Sequence, residues 1–224
     1  MTTAPSETPY AGLGPDIVLD ALDAVGLRGD GRLIQLNSYE NRVFQVFLED
    51  GRVIVSKFYR PGRWSDAQIL EEHAFANELA EREIPVAEVW PLSIDMASRL
   101  ANQVSLIGTT LARLDTPLGA YRFSVSARLA GRAPELEDAG TLEWLGRFIG
   151  RMHAVGATAP FTQRQTLSVQ TFGRDNRDWL IAQDIIPPDA ASAWARAASD
   201  ALTAAQAAFE SGSPLRHQIG RAHV

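Results

Sequence analysis

Leu36-Asn37-Ser38-Tyr39-Glu40-Asn41-Arg42-Val43, followed by Val53-Ile54-Val55-Ser56-Lys57-Phe58-Tyr59-Arg60-Pro61, is the stretch on which the fold turns. A polar turn separates apolar segments that read as strands, and a lysine stands near the end of the last one. Strand alternation puts Val53, Val55 and Lys57 on one face and Ile54, Ser56 and Phe58 on the other. Glu49-Asp50-Gly51-Arg52 supplies the hairpin turn between the second and third strands, since Asp-Gly readily takes the positive φ such turns need. The pattern suits a loop folded over phosphate groups, with an ammonium group reaching the same phosphates from below. There is neither a G-x-G-x-x-G nor a Walker A sequence, so the phosphates would be held by backbone N–H groups and the Ser38 hydroxyl. Asn37, Ser38, Glu40 and Asn41 equally suit an ordinary turn.

Working outward, residues 1–14 are rich in Pro, Thr, Ser and Gly and read as a flexible tail. Ile17, Val18, Leu22 and Val25 predict a helix over 16–25 that Gly26 ends. Strands follow over 33–36, 43–48 and 53–59. Pro61-Gly62 breaks the third, and Ser65-Asp66-Ala67-Gln68 opens a helix to about Arg82 with a capping-box pattern. Strands are expected over 89–94 and 122–129, while 95–119 shows no clear period and reads as a possible insertion. Gly131 to Glu137 reads as a linker. Beyond it Leu142, Leu145, Ile149 and Met152 form a helical stripe, with Gly146 and Gly150 allowing close packing. An alanine-rich helix follows over 189–209.

In the capped helix Ile69, Glu72, Phe75, Ala76 and Leu79 fall on one face, which places Glu72 inside the apolar stripe. A carboxylate facing a core is costly unless it is paired, and Lys57 on the adjoining strand is the natural partner. The bland alternative is a snorkelling edge lysine with Glu72 pointing outward. The four histidines show no metal-ligand spacing and read as structural; the five tryptophans read as packing residues.

Composition narrows the function classes. With 21 basic against 27 acidic residues the net charge is −6, which argues against a general nucleic-acid binder. The absence of cysteine excludes thiolate catalysis, disulfides and Cys-ligated zinc. Met1 to Ser6 has no secretory signal character, and no apolar run reaches bilayer length. A cytoplasmic monomer without membrane or nucleic-acid partners is expected.

Leu36 to Val43, Lys57-Phe-Tyr-Arg-Pro-Gly-Arg-Trp64 and Gln68-Ile-Leu-Glu-Glu-His73 resemble the bacterial stress response kinase A family. Ile84-Pro-Val86 and Leu145 to Val155 are similar to its later segments. The resemblance implies an α+β, protein-kinase-like two-lobe fold. It assigns 15–130 to an N-lobe and hinge, an antiparallel sheet plus one helix, and 131–218 to a partial helical C-lobe beginning at Gly131-Arg132. It implies ATP and Mg2+ as cofactors and protein serine or threonine hydroxyls as acceptors, the protein substrates being unknown. By position, Ser38 and its turn, with Asn41, would cover the phosphates; Lys57 would bind them and Glu72 would hold Lys57. Val55 would pack on the adenine, and Ser126, Arg128 and Leu129 would form the hinge. Aminoglycoside, choline and homoserine kinases share this architecture, so a small-molecule kinase is the alternative, and a non-catalytic nucleotide-binding protein is a third reading.

One departure is large. The family's catalytic loop, His-Gly-Asp-x-His-x-Gly-Asn, and its later metal-binding Asp have no counterpart here. The residues present therefore include neither a catalytic base nor metal ligands of that kind, and the chain is expected to be inactive as given. Ile219-Gly-Arg-Ala-His-Val224 matches the translation of a common sequencing adapter, so 219–224 is expected not to be native coding sequence and the chain to be a fragment.

Overall fold

The computed structural model describes residues 9–131 and 133–211. They divide into two compact units, residues 9–152 and 153–211, and the division falls within one helix.

The first unit is built on a six-stranded sheet in the order β1-β2-β3-β6-β5-β4 with every neighbouring pair antiparallel. The strands are β1 (Gly29–Leu36), β2 (Arg42–Leu48), β3 (Val53–Tyr59), β4 (Val104–Ile107), β5 (Leu111–Thr116) and β6 (Gly119–Ala127). Helix α1 (Pro15–Asp23) lays Val18, Ala21 and Leu22 into a core made of Phe44, Val46, Leu48, Ile54, Phe58, Leu114, Phe123 and Val125. Helix α2 (Asp66–Glu81) serves the opposite face, where Ile69 packs with Tyr59 and Leu111. Its expected capping box is present: the Ser65 hydroxyl accepts from the Gln68 N–H, and the Gln68 side chain accepts from the Ser65 N–H. Gly26 takes φ +76° just past α1, where a side chain would be strained.

The sequence reading needs correction at several places. Residues 89–94 form no strand, only an isolated bridge from Val89 to Ser126. The Asn77 side chain takes both backbone groups of Val89, donating to its carbonyl at 3.0 Å and accepting from its N–H at 2.8 Å. Pro91 has no N–H to offer a ladder. The stretch 95–119 is no insertion: it carries β4, β5 and the start of β6. The last strand ends at Ala127, not 129. Residues 9–14, read as tail, lie against the sheet, with Tyr10 donating to the Glu40 carbonyl at 2.7 Å and Tyr121 donating to the Ala11 carbonyl. Residues 1–8, Arg132 and the adapter-like 219–224 lie outside the described residues.

Ser56 points into the α1 side of the sheet, fully buried, and its hydroxyl has no hydrogen-bond partner among the described residues. A buried hydroxyl without a partner costs on the order of 1–3 kcal/mol. Ser56→Ala is therefore expected to stabilise the protein by about 1 kcal/mol in urea titration. Destabilisation by the same amount would show that the hydroxyl is satisfied.

The second unit is helical. It holds the end of α3 (Ala139–Gly156), a π-helical turn over Gln170–Arg174, α4 (Asp175–Ala182) and α5 (Ala191–Ser211). Arg174 donates to Gln206 at 3.4 Å. The expected helix over 189–209 corresponds to α5, whereas α4 is not visible from periodicity.

Candidate functional site

Strand β3 sets the site. Its buried residues Ile54, Ser56 and Phe58 face α1, which leaves Val53, Val55 and Lys57 half-buried on the α2 face. Ladder pairing places Lys57 between Val43 of β2 and Ser124 of β6, and Val55 between Gln45 and Ser126. Lys57 Nζ lies 3.2 Å from Glu72 Oε1, the two side chains being 27% and 40% exposed. The structure thus brings together the two charged residues that the sequence pairs.

Helix α2 carries one buried residue that the sequence stripe leaves out, His73. The buried residues of α2 are Ile69, His73 and Leu79; around the helix axis Glu72 falls between Leu79 and Ile69, with its side chain 40% exposed. That half-buried position lets the carboxylate meet a cation that water still reaches.

The polar turn 37–41 precedes β2, whose Val43 is opposite Lys57, so turn and ammonium share one end of the sheet. The turn is anchored from three sides. Besides the Tyr10 bond, Asn41 Oδ1 accepts from the Arg60 N–H at 3.3 Å, and Arg63 Nε donates to Glu40 Oε2 at 3.2 Å. Asn41 therefore has a structural use at the end of β3. Ser38 is half-buried in the turn.

Residues Ser126, Arg128 and Leu129 lie at the other end of β3. Ser126 bridges to Val89, the Arg128 N–H donates to the Val53 carbonyl at 3.2 Å, and the Leu129 side chain is exposed. The Arg128 amide is thus engaged within the sheet. From Val53 to Lys57 the strand rises about 13 Å at roughly 3.3 Å per residue.

Sequence reasoning missed the polar side chains behind Lys57. Tyr59, His73, Thr110 and Ser124 are buried and hydrogen-bonded to one another. Tyr59 was visible from alternation, two residues after Lys57 on the same face; Thr110 came from the uninterpreted stretch. Among the described residues no group of three or more His, Asp or Glu stands where it could hold a metal ion. The described residues do not fit a magnesium site.

A cavity of about 280 Å³ lies on the opposite face of the sheet, lined by Tyr10, Leu13, Leu33, Gln35, Arg42 and Phe44. It shares no wall with Lys57. Burial pushes the Tyr10 hydroxyl up to about 12, against the opposing pull of Arg42 and Arg60. Raised in the folded state above its ordinary value near 10, Tyr10 contributes stability in full below about pH 10 and loses it as pH rises toward about 12. Denaturation midpoints measured from pH 9 upward should fall more steeply for the wild type than for Tyr10→Phe. Parallel curves would sink this assignment.

The chain belongs to the APH phosphotransferase enzyme family, which matches residues 32–219. It is 34% identical over 212 residues to stress response kinase A of Escherichia coli strain K12, covering 95% of this chain and 59% of that protein. It is 36% identical over 192 residues to "Serine/threonine protein kinase RdoA" of Salmonella typhimurium strain LT2, covering 86% of this chain and 53% of the relative. The chain thus spans a little over half the length of the curated relatives it matches. Among solved structures, amicoumacin kinase hAmiN in complex with AMP-PNP, Ca2+ and Ami matches with a TM-score of 0.60 at 19% identity, over 90% of this chain and 55% of that one. That likeness carries the protein-kinase-like fold. Among the described residues no helix is long and apolar enough to cross a membrane.

Proposed function

We propose that this chain binds ATP on the α2 face of β3 and forms the nucleotide-binding part of a serine/threonine protein kinase. The observation that carries the reading is the Lys57–Glu72 pair, 3.2 Å apart, on a half-buried strand face beside an anchored polar turn. In this reading Lys57 binds the α- and β-phosphates, Glu72 orients it, and Ser38 in its turn covers the phosphates. Val55 packs on the adenine, and the backbone at Ser126–Leu129, with the second lobe beginning at Gly131, meets its edge. The antiparallel register supports this division, because the turn and Ser126 mark opposite ends of β3. Arg128, whose amide is taken by Val53, contributes through its carbonyl rather than its N–H.

Transfer to protein hydroxyls is proposed on the names of the relatives, RdoA above all. The sequence contains no His-Gly-Asp-x-His-x-Gly-Asn motif, so no residue here is assigned as catalytic base, and binding rather than transfer is proposed for these 224 residues. A cytoplasmic monomer completes the proposal.

Hydrogen exchange with and without Mg·AMP-PNP tests the site. Slowed exchange in 37–43, 53–59 and 124–129 is the expected result. Protection confined to Tyr10, Leu33 and Phe44 around the rear cavity would overturn it. For the acceptor, these residues joined to a segment that carries a His-Gly-Asp-x-His-x-Gly-Asn loop are expected to place labelled phosphate on protein serine or threonine, whereas turnover of aminoglycoside or choline alone would move the reading to a small-molecule kinase.

A further inference from the structure

The buried polar chain behind Lys57 has no role in the reading above, and its placement gives it one. Tyr59 lies two residues beyond Lys57 on the same face of β3, and Lys57 Nζ stands 4.7 Å from the centre of its ring. An ammonium group over an aromatic face is attracted by the ring's quadrupole. The ammonium is therefore held from two directions: by the Glu72 carboxylate on α2 and by the Tyr59 ring on β3.

Those two holders are locked to each other. The Tyr59 hydroxyl lies 2.6 Å from Nε2 of His73, the residue that follows Glu72. It also lies 3.2 Å from Ser124 Oγ, on the strand position opposite Lys57. The other ring nitrogen of His73 lies 2.8 Å from Thr110 Oγ1 in the β4–β5 turn. Tyr59 and His73 are each only 2% exposed, so water does not stand in for these bonds. A short bond at that depth fixes the ring plane of Tyr59 and, one residue from Glu72, the height of α2 above the sheet. Simple packing would need neither the hydroxyl nor the imidazole, since Phe and Leu fill such space without polar atoms to satisfy.

We infer that Tyr59, held by His73 and Thr110, is a positioning residue that fixes the Lys57 ammonium against Glu72 and so presents it to an anionic ligand. The anionic ligand rests on the nucleotide reading above; the positioning of Lys57 does not.

A double-mutant cycle separates this role from a structural one. Tyr59→Phe keeps the ring and removes only the hydroxyl; Thr110→Val acts from the far end and touches neither Lys57 nor the ligand. AMP-PNP affinity is read by calorimetry for each, alone and with Lys57→Met. Lys57 acylation by an amine-reactive ester is read by peptide mass analysis without nucleotide. Tyr59→Phe is expected to weaken AMP-PNP about tenfold alone and by less than about twofold beside Lys57→Met. Both variants are expected to raise the Lys57 acylation rate roughly threefold, as the ammonium loosens from its carboxylate. Equal weakening in both backgrounds, or unchanged acylation in both variants, would overturn the inference. If Lys57→Met leaves affinity untouched while acylation still responds, the nucleotide reading fails and the positioning role stands.

Discussion

Lys57→Met is expected to weaken AMP-PNP binding by roughly 10- to 100-fold, the loss of about 1.5–3 kcal/mol that a charge-assisted hydrogen bond supplies. Methionine keeps most of the apolar stem in place, so the change isolates the ammonium. The loss should be larger than that for Glu72→Gln. Removing Lys57 deletes the cation that meets the phosphates and leaves the Glu72 carboxylate facing them, like charge toward like charge. Removing the carboxylate's charge leaves the cation present and costs only its orientation. Neither change should unfold the protein, because the pair is 27% and 40% exposed and a solvent-screened pair of that kind contributes at most about 1 kcal/mol to stability. Calorimetry at two ionic strengths gives the check: wild-type affinity should fall with salt, and the Lys57→Met affinity should respond less. Wild-type affinity in a folded Lys57→Met variant would remove Lys57 from the site.

How far the sequence carries depends on the range of the forces involved. The β2–β3 hairpin and the capping box of α2 are set by residues within a few positions of one another, and both are legible. So is the Lys57–Glu72 pair, because strand and helix periodicity each point a charged group into the same space. What failed depends on partners far along the chain. The apolar stripe of α2 leaves out His73, because a histidine reads as polar in a pattern. His73 occupies the core because Tyr59 and Thr110, the latter 37 positions away, satisfy its ring. The apolar residues of 89–94 predict a strand, yet one side chain, Asn77, takes both backbone groups of Val89 that a ladder would have used. Strand β5 hides its period because Leu111 and Ala112 are both buried, on opposite faces, in a sheet covered on both sides.

The second large effect is expected in stability, and it should differ sharply between the two units. Phe58 is fully buried, stacked on Phe123 at 5.2 Å and edge-on to Phe44 at 6.1 Å. Phe58→Ala empties the middle of the sheet's core and should cost about 3–5 kcal/mol, a large share of a domain's total. In the helical unit, by contrast, Val155 and Val169 are the buried hydrophobics among the described residues, and Trp179 is 58% exposed. Trp179→Ala should therefore cost within about 0.5 kcal/mol, as for a surface change. A unit with so little apolar burial opens easily, so its amides should exchange at low free energy while those of β2, β3 and β6 approach the global value. Limited proteolysis should cut first in the connections 157–168 and 183–190 and leave a resistant fragment containing the sheet. The nucleotide face proposed above would then survive loss of the helical unit, since Lys57, Glu72 and Ser38 all belong to the first unit. A single urea transition in which Phe58→Ala and Trp179→Ala cost alike would contradict this. It would require Trp179 to be buried in solution rather than exposed.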